Sequence, residues 1–168
     1  MAVSMVGGVN QHPEEANGTA ASSDDVRIVA TSPATADICD RLELDLVGVC
    51  SSTLSTIPER YKDVTQIGTA MSPDLEILKS LKPDYVLSPS SLQSDLQPKY
   101  ESIGVNSIFL NLKSVEGMYA SISDLGQKFD REEQAQALVD EFNAFMEEYK
   151  KSFETCQFIL SPVAPTAA

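Results

Sequence analysis

Apolar residues recur along this chain with two alternating periods. Short β-branched or aromatic runs, Val26-Arg27-Ile28-Val29-Ala30, Leu46-Val47-Gly48-Val49-Cys50, Val64-Thr65-Gln66-Ile67, Tyr85-Val86-Leu87 and Ser107-Ile108-Phe109-Leu110, fit the pleated geometry of strands. Between them the spacing widens to three and four residues, which marks a helix with one buried face. Ala36, Ile38, Cys39 and Leu42 follow the break at Thr31-Ser32-Pro33, and Leu75, Leu78 and Leu81 follow Ser72-Pro73-Asp74. A further helix is expected around Asp95 to Ser102. Strands alternating with helices predict an α/β fold, a mainly parallel sheet flanked by helices.

The last third is helical by the same criterion. Ser114 caps a segment with Val115, Met118, Tyr119, Ile122 and Leu125 on one side. Asp130-Arg131-Glu132-Glu133 reads as a capping box for a second helix, with Ala135, Leu138, Val139, Phe142, Phe145, Met146 and Tyr149 at core spacing. That helix is expected to reach about Lys151, roughly 30 Å at the helical rise. Cys156-Gln157-Phe158-Ile159-Leu160 then reads as a strand with no neighbours to pair with, followed by a Pro- and Ala-rich end. The expected organisation is a disordered leader or expression remnant at 1–25, one lobe at 26–129, a long connecting helix at 130–153 and the disordered, truncated start of a second lobe at 154–168.

A chain of 168 residues is long enough for one such lobe and too short for two ordinary ones. Its net charge of -13 disfavours nucleic acid and anionic membrane surfaces as partners. No apolar run approaches the roughly 20 residues of a spanning helix, and Met1 to Gly8 lacks the basic start and longer apolar core of a signal peptide. Cys39, Cys50 and Cys156 form no CxxC pair and have no histidines beside them, so they read as small hydrophobes. His12, the sole histidine, lies in the polar head. Neither GxGxxG nor GxxxxGK[ST] occurs, and Asp37, Asp40 and Asp45 read as solvated helix residues rather than a phosphoacceptor cluster, which argues against a flavodoxin-like enzyme or signalling domain.

The stretch Ile67-Gly68-Thr69-Ala70-Met71-Ser72-Pro73-Asp74 carries the most specific chemistry. Ser72 as N-cap, Pro73 at the first helical position and Asp74 in the first turn would open a helix there. Met71 then sits between a strand end and a helix start, where open α/β sheets bind ligands. Its polarizable thioether suits a metal or macrocycle as well as an ordinary packing role.

Arg27-Ile28-Val29-Ala30-Thr31, Leu44-Asp45-Leu46-Val47-Gly48-Val49, Pro58-Glu59-Arg60-Tyr61-Lys62-Asp63-Val64, Met71-Ser72-Pro73-Asp74-Leu75-Glu76 and Leu81-Lys82-Pro83-Asp84 together resemble the iron-complex substrate-binding proteins of ABC importers. The resemblance covers roughly residues 26–153, and the methionine ahead of Pro-Asp-Leu-Glu is the mark of the family's haem-receptor branch, lipoproteins of Gram-positive bacteria. It implies a periplasmic-binding-protein fold of two lobes joined by one long helix, with haem bound between them and no catalysis. In that branch a methionine of the first lobe and a histidine of the second hold the iron. Met71 matches the methionine, and the histidine has no counterpart, since His12 precedes the fold. Methionine with histidine is a known axial pair. The haem propionates would need donors, for which the strand-end residues Thr31, Ser32, Ala34, Ser51, Ser52, Thr53, Ser88 and Ser90 are candidates, although each also serves as an ordinary turn or cap residue. The partners implied are haem, an importer permease and haem-donating cell-surface proteins, at an extracytoplasmic, lipid-anchored location. The docking mode implies that carboxylates such as Glu59, Glu76 and Asp84 meet basic residues of the permease. A siderophore or cobalamin binder of the same superfamily is the alternative, against which stands the lack of arginine on those loops.

Overall fold

The alternating periods fold as a parallel sheet between two layers of helix in the computed structural model, which describes residues 25–160. The strands β1 (Ile28–Ala30), β2 (Gly48–Val49), β3 (Thr65–Gln66), β4 (Tyr85–Pro89) and β5 (Ser107–Leu110) are ordered β3-β2-β1-β4-β5, each pair parallel. The helices are α1 (Pro33–Arg41), α2 (Leu75–Leu81), α3 (Gln93–Ser102), α4 (Val115–Lys128) and α5 (Glu132–Leu160). Alternate residues of the central strand serve the two faces. Ile28 and Ala30 pack with α1, α4 and the start of α5, whereas Val29 packs with Leu78 of α2 and with Leu96 and Tyr100 of α3. Both faces are covered, as a parallel sheet requires.

The chain winds outward from β1 to β3 and then returns to β4 on the other side of β1. All the loops that leave strand ends therefore gather at one edge of the sheet, and the strand starts gather at the other. The helix α1 begins at that first edge with a reciprocal cap: the Thr35 N–H donates to Ser32 Oγ at 3.2 Å, and the Ser32 N–H donates to Thr35 Oγ1 at 3.1 Å. Pro33 occupies the first turn, where its missing N–H costs nothing.

Three local expectations are corrected. The N-cap of α2 is Asp74, not Ser72: Asp74 Oδ1 accepts the N–H groups of Glu76 and Ile77 at 2.9 and 3.0 Å. A carboxylate caps as well as a hydroxyl and also complements the helix dipole, so the helix opens two residues later. The chain enters α5 from Arg131, whose carbonyl takes the first helical N–H from Ala135. Asp130 instead adopts the left-handed conformation at φ 54°, turning the chain between α4 and α5.

The third correction is the largest: α5 does not stop near Lys151 to give way to a strand but continues through Leu160, 29 residues in all. At the helical rise this is about 44 Å. A short, mostly apolar run such as 156–160 fits either period, and among the described residues no strand lies beside it to supply hydrogen bonds. The expected leader at 1–25 lies outside the described residues except for Asp25, and so do residues 161–168. Cys39 and Cys50 are free and buried, as the sequence suggested. Burial pushes the Cys39 thiol up to about 12, with Asp40 adding to the effect, and the Cys50 thiol up to about 11.

Candidate functional site

The loop between β3 and α2 is a tight reversal built to project one side chain. Gly68 takes φ 94°, which L side chains rarely adopt, and a Cβ there would lie 2.9 Å from the Ser72 carbonyl oxygen. Gly68 and Pro73 bridge across the loop, and the Asp74 N–H closes it on the Ile67 carbonyl at 2.6 Å. Within this closure the Ser72 N–H donates to the Thr69 carbonyl at 3.2 Å. Met71 sits at the tip, 76% exposed, with its sulfur uncommitted to the core.

Beside it runs an open groove of about 340 Å³ at the strand-end edge. Its walls are Pro33 after β1, Ser51 to Leu54 after β2 and Thr69 to Met71 after β3, and none of these residues carries a charge. The loops are tied to one another, since the Ser51 N–H donates to the Gly68 carbonyl at 2.8 Å. Among the described residues no cluster of three or more His, Cys, Asp or Glu could hold a metal ion, so a ligand in this groove would find one soft sulfur donor and hydroxyl groups.

Of the residues expected from the sequence, Met71, Ser51, Ser52 and Thr53 come together in this groove. The other five do not line it. Thr31 and Ser88 are fully buried. Thr31 Oγ1 donates to the Leu87 carbonyl at 3.1 Å and so must accept from Ser88 Oγ at 2.7 Å, which in turn accepts from the Tyr100 hydroxyl at 3.1 Å. Each hydroxyl proton is thereby used inside the protein. Desolvation raises the Tyr100 pKa, the neighbouring Ser88 and Thr31 hydroxyls opposing the shift only in part, so the phenol stays neutral. Ser32 is buried and caps α1, Ala34 is exposed on its first turn, and Ser90 is half-buried at the start of a short helical turn, Ser90–Leu92. Leu54, 97% exposed, and Pro33 are groove residues that the sequence reading missed. The signal available was the single apolar residue within Ser51-Ser52-Thr53-Leu54-Ser55-Thr56.

The long helix is anchored at the opposite edge. Phe129, just before α5, meets the ring of Tyr85, the first residue of β4, at 5.7 Å, and on α5 Gln134 reaches Glu43 while Glu141 pairs with Arg41. The three candidate docking carboxylates are also divided. Glu76 stands at the groove edge on α2, whereas Asp84 accepts the Arg27 N–H at the strand starts and Glu59 lies on the turn whose Tyr61 hydroxyl bonds Leu44.

A parallel sheet with a strand-end groove on one edge and a long helix anchored at the other fits one lobe of a periplasmic-binding-protein fold, and the chain belongs to the periplasmic binding protein family, which matches residues 28–157. Over 122 residues it is 41% identical to the high-affinity heme uptake system protein IsdE of Staphylococcus aureus, covering 73% of this chain and 41% of that protein. An ABC transporter substrate-binding protein from Listeria monocytogenes EGD-e aligns with a TM-score of 0.73 at 41% identity, over 76% of this chain and 49% of the other. The structure of S. aureus IsdE complexed with heme aligns with a TM-score of 0.72 at 38% identity, with the same coverage. This chain spans about half the length of these relatives.

Proposed function

We propose that the chain is the first lobe of the haem-receptor component of an ABC importer, and that Met71 offers its thioether to the haem iron from one side. The observation that carries this reading is the position of Met71, exposed at the tip of a loop closed by the Gly68–Pro73 bridge and flanked by an uncharged groove. The 41% identity to a protein named for heme uptake supports haem over another iron complex. The role needs no general base or nucleophile. A thioether is neutral and soft, and the apolar groove beside it suits a largely apolar ring. Ser51, Ser52 and Thr53 on the rim supply donors for propionates, while Thr31, Ser32 and Ser88 hold the loops from beneath. Ala34 and Ser90 flank the same edge.

In the complete receptor, residues 26–129 form the first lobe, α5 connects it to a second, and that second lobe brings the opposing wall and a second iron ligand. Haem would arrive from cell-surface donors and pass to a permease at an extracytoplasmic, lipid-anchored site. Haem titration into the wild-type chain and a Met71→Ala variant tests the reading. The wild type is expected to shift the Soret band to a thioether-ligated form. The substitution is expected to abolish that form and weaken binding at least about tenfold, the equivalent of about 1.4 kcal/mol. Identical spectra and affinities in the two proteins would refute ligation by Met71.

A further inference from the structure

The large apolar side chains most exposed among the described residues fall in two places: Phe145, Tyr149 and Phe153 on α5, and Leu54 with Met71 in the groove. A lone exposed leucine needs no explanation. Leu54 is not alone, because it shares the groove with Met71, Ala70 and Pro33 in a wall that lacks charge. Nor is its loop a loose excursion. Ser52 Oγ accepts the N–H groups of both Leu54 and Ser55, at 3.3 and 3.0 Å, and the Ser51 N–H ties the loop to Gly68 at the base of the Met71 turn. The backbone is thus held so that Leu54, at 97% exposure, adds nothing to the core and stands on the same groove as the thioether.

We infer that Leu54 is a specificity-determining contact, packing against the apolar periphery of the macrocycle whose iron Met71 holds; this rests on the haem reading above. The methyl and vinyl groups around a protoporphyrin ring gain from covering an exposed leucine. A hydrophilic iron chelate, with no apolar periphery to cover the side chain, gains nothing from Leu54. Leucine and methionine then divide the work: Leu54 recognises the ring and Met71 recognises the metal.

That division sets the test. Haem and metal-free protoporphyrin IX are each titrated into the 168-residue chain as wild type, Leu54→Ser, Leu54→Ile and Met71→Ala, with thermal unfolding measured in parallel. Leu54→Ser is expected to weaken both ligands by a similar factor, about tenfold, as expected where the ring covers the otherwise exposed Leu54 side chain. Leu54→Ile retains affinity for both, Met71→Ala weakens haem alone, and the unfolding midpoint of Leu54→Ser stays at the wild-type value. Wild-type affinity for both ligands in Leu54→Ser overturns the inference and leaves the haem reading standing. A loss confined to haem also overturns it. A wild type that binds neither ligand removes the haem reading, and the inference with it.

Discussion

At the scale of single residues, the groove side chains and the buried ones obey different rules. Met71 and Leu54 owe their positions to backbone closure around them, through Gly68 and Ser52, and contribute little to the core. Cys39 is the reverse, fully buried and held as a neutral thiol. Its folded pKa of about 12 lies above the ordinary value of 9.0. The stability it contributes is therefore complete below pH 9 and is lost as pH rises toward 12, because the unfolded chain releases the proton first. Cys50, Tyr61 and Tyr100, all raised chiefly by desolvation, act in the same direction. Urea unfolding at pH 8, 9 and 10 under reducing conditions should show a falling midpoint, with a shallower fall in Cys39→Ala. An equal slope in both proteins would assign the alkaline loss to other groups.

At the scale of elements, what the sequence made legible depended on how many physical signals agreed. The five strands were readable because β-branched runs, turn residues and helical neighbours pointed the same way, and α1 because Ser32-Pro33 is an unambiguous start. The opening of α2 was misplaced because Ser72 and Asp74 are both competent caps, and only the Gly68–Pro73 bridge decides between them. Leu54 was missed for another reason: exposure on a loop has no period. The close approach of α4 and α5 was equally invisible, though a single atom governs it. A Cβ on Gly126 would lie 2.5 Å from Ala135 Cβ and 3.1 Å from the Arg131 carbonyl oxygen, which is itself engaged by the Ala135 N–H. Since that backbone cannot yield without loosening the first turn of α5, Gly126→Ala is expected to destabilise the lobe by about 1–3 kcal/mol. Chemical denaturation would detect this, and an unchanged midpoint would mean that the α4–α5 junction gives way freely.

At the scale of the whole molecule, the two parts of the long helix differ. The first part of α5 is integral to the lobe, with Ala135 and Leu138 buried in the core and Val139 and Phe142 packed against it. Past that point the apolar face continues without a partner among the described residues. Phe145, Tyr149 and Phe153 recur at spacing four, which places them on one stripe, and they are 64%, 58% and 55% exposed. Together they leave several hundred Å² of aromatic surface in water, on the order of the largest patches that monomers tolerate. The net charge of -13 opposes association at long range, but salt screens it beyond about 8 Å at physiological ionic strength, so contact at the stripe is governed by burial. The 168-residue chain is therefore expected to self-associate reversibly as its concentration rises. Replacing Phe145, Tyr149 and Phe153 together by serine should abolish this without loss of the folded lobe, since these side chains are outside its core. Sedimentation velocity across a hundredfold concentration range separates the outcomes. A concentration-dependent shift in the wild type that vanishes in the triple variant is the expected result, and a wild type that stays monomeric throughout would show that the stripe is tolerated in water as it stands.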